Sequence, residues 1–216
     1  MTPVALPFAV LEDLGGSPRD VGLVIAAGAG AQILVQLFGG ALADRGSRKR
    51  QMVGADGIAA LAQGTLATLL LTGTATLPVV IVLQALIGVS FALHWPAMVG
   101  LVPLVAPREQ LQPANALLAI AHSTALGLGA AAGGLLAARF GAGAALAVDA
   151  ASFAASALLV AGVVVRPQQR SAAASLLAEL RAGWREFTAH RWLWTIALPT
   201  AAVLFVPEVR HLRNAK

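Results

Sequence analysis

The sequence predicts an all-α, polytopic membrane protein whose helices pack as one bundle. Only 12% of its residues are charged and its mean hydropathy is +0.78, whereas about a quarter of the residues of soluble domains are charged. Residues 21–43 and 57–107 form runs of 23 and 51 residues without Asp, Glu, Lys or Arg. Because a spanning helix needs roughly 20 apolar residues, the chain has room for about six of them.

Charges, prolines and glycines divide the chain into successive helices. We expect a short first segment near residues 2–11, followed by helices near 20–43, 52–73, 77–101, 112–138 and 142–165. Backbone polar groups need internal partners in hydrocarbon, which favours helices for these runs. The strands of a barrel would alternate with a period of two, and the stretch AAGAGAQILVQLFGGALA does not.

Three regions follow from this division. Residues 1–165 are predicted to form the transmembrane bundle, 166–190 a cytoplasmic loop, and 191–216 the start of a seventh transmembrane helix with a polar tail. Within the loop, 171–189 predicts an amphipathic helix, since its large apolar residues recur at helical spacing: Leu176, Leu177, Leu180, Trp184 and Phe187. This helix lies along the inner membrane surface or packs on the cytoplasmic face of its own protein.

The basic residues predict the orientation of the bundle. If residues 44–50 face the cytoplasm, that side carries Arg45, Arg48, Lys49, Arg50, Arg108, Arg166, Arg170, Arg181, Arg185 and Arg191. Up to the last segment, the other side carries Arg19 and Arg139. This asymmetry follows the positive-inside rule, so the net charge of +5 indicates topology and not a nucleic-acid partner.

Several classes of function lack their sequence signals. The chain has no cysteine and only four scattered histidines, which predicts no metal site and no other cofactor. A phosphate-binding Gly-x-x-x-x-Gly-Lys loop, paired carboxylates and a nucleophile beside a base are all missing from the sequence. We therefore expect no enzyme, and a gradient-driven process instead of one driven by ATP.

A dense basic turn at residues 40–50, GALADRGSRKR, joins two of the apolar runs. It resembles the Gly-x-Leu-Ala-Asp-Arg-x-Gly-Arg-Lys loop between the second and third helices of the major facilitator superfamily. Seven residues match this pattern, Gly40, Leu42, Ala43, Asp44, Arg45, Arg48 and Lys49, while Ser47 replaces the second glycine. The resemblance implies the N-terminal six-helix half of that fold, with the first helix truncated and the seventh partial.

Three further strings resemble the drug and siderophore efflux branch of the superfamily, which includes enterobactin-exporter-like proteins. They are ALPFAVLEDLGGSP, PAMVGLVPLVAPREQLQPANAL and AVDAASFAASALL. The resemblance implies proton-coupled efflux of a drug-like or siderophore-like molecule from a multi-pass protein of the inner (plasma) membrane. Its expected partners are the small molecule, protons, the lipid bilayer and a missing C-terminal half.

By the same resemblance, the basic turn gates the conformational change, through Gly40, Asp44, Arg45, Arg48 and Lys49. Asp44 would meet a helix N-terminus of the second half, whereas Lys49 and Arg50 are expected to anchor topology. The fifth helix carries Gly129, Gly133 and Gly134 where antiporters have Gly-Pro-x-x-Gly-Gly, with alanine in place of the proline. These glycines are expected to permit close helix packing, without the kink that a proline imposes.

Ionisable and aromatic residues inside the apolar runs are candidates for a substrate or proton site: His94, Trp95, His122 and Asp149. Each has a structural alternative: buried packing for His94, Trp95 and His122, and an interhelical hydrogen bond to a hydroxyl for Asp149. Asp56 is expected to pair at the basic turn and Asn115 to cap the fifth helix.

Two other functions stay open at this point. A non-transporting membrane module or an inactive truncated remnant would show no substrate-dependent proton movement. An importer or facilitator of the same fold would differ in the direction of flux.

Overall fold

The computed structural model describes residues 1–45 and 47–165, together with Arg185 and Thr188, and for residues 37–45 it describes the backbone helix alone. The chain divides into two compact units, Met1–Gln169 and Arg170–Lys216. The predicted amphipathic helix and seventh helix fall almost entirely outside the described residues.

Six α-helices lie in the described part of the first unit. They are α1 (Thr2–Phe8), which continues as a π-helical segment (Ala9–Asp13), α2 (Pro18–Arg45), α3 (Arg48–Leu71), α4 (Leu77–Val105), α5 (Leu111–Phe140, after a short 3₁₀ turn at Arg108–Gln110) and α6 (Ala142–Gly162). The five helices from α2 to α6 are long and apolar enough to cross a membrane, and no strand occurs in the described part of the chain. The prediction of an all-α membrane bundle is confirmed.

The start of α3 differs from the prediction because the helix begins inside the basic turn. Ser47 is its N-cap, with an extended backbone (φ −74°, ψ 115°), and its hydroxyl accepts a hydrogen bond from the Arg50 backbone N–H at 3.4 Å. A serine satisfies a free amide of the first helical turn in this way. The residue that replaces the motif glycine therefore starts the helix, and the basic side chains of residues 48–50 belong to α3.

The bundle is held mainly by the contacts of α3 with α6, α2 with α4, and α3 with α4. Its largest fully buried apolar side chains are Leu66, Ile87, Leu146, Val10, Val24 and Val80. Helix α5 packs mainly on α6 and α1, and most of its residues are exposed.

Helices α2 and α4 are in close backbone contact at two glycines, Gly28 and Gly88. A Cβ atom on Gly88 would lie 2.1 Å from the carbonyl oxygen of Gly28. Small residues at such a crossing allow two backbones to touch, which is how helices associate where lipid supplies no hydrophobic drive. The α2–α4 contact therefore depends on the absence of a side chain at residue 88.

The connections at the end of the bundle opposite the basic turn are short. Residues 14–17 join the π-helical segment to α2, residues 72–76 join α3 to α4, and Gly141 alone joins α5 to α6. Gly141 has φ +83°, a conformation that side-chain-bearing L residues rarely adopt. A glycine is therefore needed at residue 141 to reverse the chain in one step.

Candidate functional site

Asp56, in the middle of α3, joins three helices in one polar cluster. Its Oδ1 lies 2.6 Å from His94 Nδ1 on α4, and its Oδ2 accepts a hydrogen bond from Ser156 Oγ on α6 at 2.6 Å. Asp56 is 1% exposed and the His94 side chain 22%. Asp56, His94 and Ser156, termed here the Asp56 cluster, form an acid–imidazole pair inside a membrane-spanning bundle, where ionisable groups are costly and usually functional.

Side-chain hydrogen bonds continue from this cluster along α3 and α4 to the basic turn. Ser90 Oγ donates to the carbonyl of Ala55 at 2.8 Å, Gln51 Nε2 to that of Leu93 at 3.1 Å, and Arg48 Nη1 to that of Gly100 at 2.8 Å. We term these three bonds the α3–α4 ladder. It connects the start of α3 to α4.

Lys49 connects the basic turn to α6. Its Nζ donates to the carbonyl of Val163, the residue after the last turn of α6, at 2.8 Å. A cation at a helix C-terminus also interacts favourably with the helix dipole. Of the predicted gating residues, Arg48 and Lys49 thus bond to backbone carbonyls of α4 and of the residue after α6. For Gly40, Asp44 and Arg45 the structure describes the backbone helix alone.

The Arg48 contact predicts the effect of Gly100→Ala. A Cβ at residue 100 would lie 2.0 Å from Arg48 Nη1, so the guanidinium must move and its bond to the Gly100 carbonyl is lost. A hydrogen bond from a charged group contributes about 1.5–3 kcal/mol, and we expect a decrease near the lower value in the free energy of unfolding in SDS–lipid micelles. Gly54→Ala is the control, since no atom lies within 4 Å of its added Cβ. Equal stability of the two variants would contradict the prediction.

Asp149 lies two turns into α6 and belongs to a second cluster. Its Oδ2 accepts hydrogen bonds from Thr2 Oγ1 at 2.6 Å and from Gln63 Nε2 at 2.9 Å, and Gln63 Nε2 also donates to Thr2 Oγ1. The Met1 amino group lies 3.6 Å from Asp149 Oδ1. The hydrogen bond to a hydroxyl that was predicted as the structural role of Asp149 is therefore present. Gln63 Oε1 is buried with no partner in the described part of the chain.

Trp95 and His122 meet between α4 and α5. Their rings are arranged edge to face, with centroids 5.3 Å apart. Trp95 is 47% exposed, and His122 is exposed. The structure thus brings these two predicted residues together beside His94, whereas Asp149 shares no hydrogen bond with any of the three.

Two expectations from the sequence are wrong. Asp56 does not pair at the basic turn, since its carboxylate bonds to His94 and Ser156 about 12 Å along α3 from Arg48. Asn115 does not cap the fifth helix, which begins at Leu111 after Gln110 and contains residue 115 in its second turn. Of the three α5 glycines predicted to pack closely, Gly133 lies closest to α1, with an added Cβ 3.0 Å from Met1 Cβ.

Gln63 and Ser156 were missed by sequence reasoning, although a signal for them exists. Asp56 and Gln63 are seven residues apart on α3, and Asp149 and Ser156 are seven apart on α6. Residues at this spacing share a helix face, and the two helices run antiparallel because Gln63 bonds Asp149 while Ser156 bonds Asp56. Two polar pairs with equal spacing in apolar helices therefore indicate a shared polar seam.

The described residues contain no group of three or more His, Cys, Asp or Glu side chains that could hold a metal ion. A comparison with family models matches residues 1–209 to the Major Facilitator Superfamily. A comparison with curated proteins found no match.

Proposed function

This chain belongs to the major facilitator superfamily, a family of membrane transporters, and from that premise we propose that it exports a drug-like or siderophore-like small molecule in exchange for protons. The chain is accordingly a multi-pass membrane protein with apolar spanning helices. Under the proposal it resides in the inner (plasma) membrane, with the basic turn in the cytoplasm, and works by alternating access.

The observation that carries the proton-coupled part of the proposal is the pair of Asp56 and His94. Their side chains are 2.6 Å apart within the bundle. Histidine changes charge near neutral pH, and a paired ionisable group in hydrocarbon favours a role in moving ions over a role in packing. The pair therefore supports coupling to a proton gradient.

Alternating access is supported by the attachment of the basic turn to the bundle. Arg48 and Lys49 donate to backbone carbonyls of α4 and of the α6 terminus, so movement of these helices would be transmitted to the turn. In the proposal, Asp44 faces a positive helix end in one conformation, an interaction worth about 0.3–1 kcal/mol. Such a difference biases two conformations of nearly equal free energy.

The direction of transport is proposed from the strings that resemble the efflux branch. The test uses everted membrane vesicles that contain the full chain, with ethidium and enterobactin as probes. We expect an inside-acid pH gradient to drive at least one probe into the vesicles, and a proton uncoupler to abolish this accumulation. Vesicles from cells without the gene are the control.

The same assay separates the alternatives. Probe movement that does not depend on the pH gradient would indicate a facilitator. Gradient-driven movement of a probe out of everted vesicles would indicate an importer. Failure of both probes to move would contradict the proposed substrate class and favour a non-transporting membrane module.

A further inference from the structure

The Asp56 cluster has the geometry of a site that takes up one proton. The short contact between His94 Nδ1 and Asp56 Oδ1, 2.6 Å, assigns the Nδ1 proton to the bond with the carboxylate, because a carboxylate accepts and does not donate. In the neutral ring this leaves the lone pair on Nε2. His94 Nε2 has no hydrogen bond among the residues that the structure describes, and the side chain is 22% exposed.

Proton uptake would neutralise this site. With a neutral imidazole, Asp56 and His94 together carry one negative charge. When a proton binds Nε2, an N–H bond forms, the ring becomes an imidazolium, and the net charge of the pair becomes zero. The Nδ1–H bond to Asp56 and the Ser156 hydroxyl bond are both kept, so proton uptake needs no rearrangement of the cluster.

Four other ionisable groups on the surrounding helices, Arg48, Lys49, Asp149 and His122, have contacts of their own. On α3, Arg48 and Lys49 donate to the carbonyls of Gly100 and Val163. On α6, Asp149 is bonded to Thr2 and Gln63. On α5, His122 contacts the Trp95 ring. Asp56 is thus the only acidic group with a hydrogen bond to His94 in the described part of the chain.

We propose that Asp56, His94 and Ser156 form the proton-binding site of the transporter, with His94 Nε2 as the atom that is loaded, Asp56 as its counter-charge and Ser156 as a positioning residue. The proposal rests on the proton coupling of the proposed function. The α3–α4 ladder begins beside this site and ends at Arg48, so the protonation state of His94 is transmitted to the basic turn.

Proton binding to His94 can be measured without a transport substrate. The full chain is purified in lipid nanodiscs with ¹⁵N-labelled histidine, and its ring signals are followed by NMR from pH 5 to pH 8; His94→Gln identifies the His94 signal. Proton loading of Nε2 should change the His94 ring signals as the pH is lowered. Asp56→Asn should weaken its proton binding about tenfold or more, since it removes a counter-charge in contact with the ring.

Two variants serve as controls. Asp149→Asn changes an acid of the same bundle that does not contact His94, and should leave the His94 titration unchanged within about twofold. Ser156→Ala should alter it by a smaller factor than Asp56→Asn and keeps the site measurable if Asp56→Asn does not fold. The proposal is overturned if neither Asp56→Asn nor Ser156→Ala changes the His94 signal. It is also overturned if Asp149→Asn changes that signal as much as Asp56→Asn does.

The link to the basic turn has its own readout. The chain has no cysteine, so the pair Arg50→Cys and Val105→Cys can be spin-labelled without background; both positions are exposed. We expect the distance distribution between the labels to change across the pH range of the His94 titration, and the change to vanish with His94→Gln. A pH-dependent change that survives His94→Gln overturns the link.

These results separate the site from the proposed function. If His94→Gln and Asp56→Asn do not change gradient-driven export, the proposed site is wrong and the proposed function is unaffected. A His94 titration that depends on Asp56, in a chain without proton-driven transport, supports the site and overturns the function.

Discussion

Gly88→Ala is expected to destabilise the bundle by about 3 kcal/mol, the upper end of the range for overpacking. The three nearest atoms to the added Cβ are all backbone atoms of Gly28, with the carbonyl oxygen at 2.1 Å. Backbone cannot rotate out of the way as a side chain can, so α2 and α4 must separate. That separation would loosen the packing around Ile87, which is 2% exposed.

The measurement is the free energy of unfolding in SDS–lipid micelles. Gly30→Ala on α2 is the matched control, because no atom lies within 4 Å of its added Cβ and alanine has the higher helix propensity. Gly28→Ala should have a smaller effect than Gly88→Ala, since its contacts, at 3.0–3.2 Å, are mainly with the side chain of Gln84. If Gly88→Ala and Gly30→Ala unfold with the same free energy, the proposed backbone contact does not exist.

Asp56→Ala is the second substitution with a large expected effect. It removes the acceptor of two hydrogen bonds at once, leaving the His94 Nδ1–H and the Ser156 hydroxyl without their partner. A buried polar group without a partner costs about 1–3 kcal/mol, and we expect a loss of about 2 kcal/mol in the free energy of unfolding. Asp56→Asn should lose less, because its amide oxygen still accepts one of the two bonds.

A double-mutant cycle isolates the Asp56–His94 pair. Asp56→Ala, His94→Ala and the double variant are unfolded under identical conditions, and we expect a coupling energy of about 1–2 kcal/mol, near the largest values measured for side-chain pairs in membrane helices. Asp149→Ala with His94→Ala forms the control cycle, for which the coupling should be close to zero. Additive losses for Asp56 and His94 would show that the pair does not stabilise the bundle.

The spanning helices were predictable because uncharged runs of this length have one stable form in lipid. The residues at which these helices begin and end were less predictable. Helix α4 was expected to stop near residue 101 but continues through Pro103 to Val105. Helix α3 begins four residues before the predicted position because Ser47 caps it, and Arg48 and Lys49 then find carbonyl acceptors elsewhere in the bundle. Such acceptors come from residues distant in the chain, and local composition does not reveal them.

The candidate site shows the same limit. His94 and Trp95 could be chosen from the sequence because ionisable and aromatic residues stand out in apolar runs. The partners of Asp56 could not be predicted from the sequence. They depend on the rotation of α3, which turns residue 56 toward α4 and α6 and away from the basic turn. Gly100 has no side chain that would mark it in the sequence, and its role follows only from the position of Arg48.

The brevity of the links at Gly141 and residues 72–76 has a practical consequence for anyone studying the protein in cells. In the proposed orientation these links face outward, and within the described part of the chain they offer external proteases and antibodies little accessible backbone. An epitope inserted at Gly141 would disrupt the reversal between two helices, and detection tags belong on the cytoplasmic side.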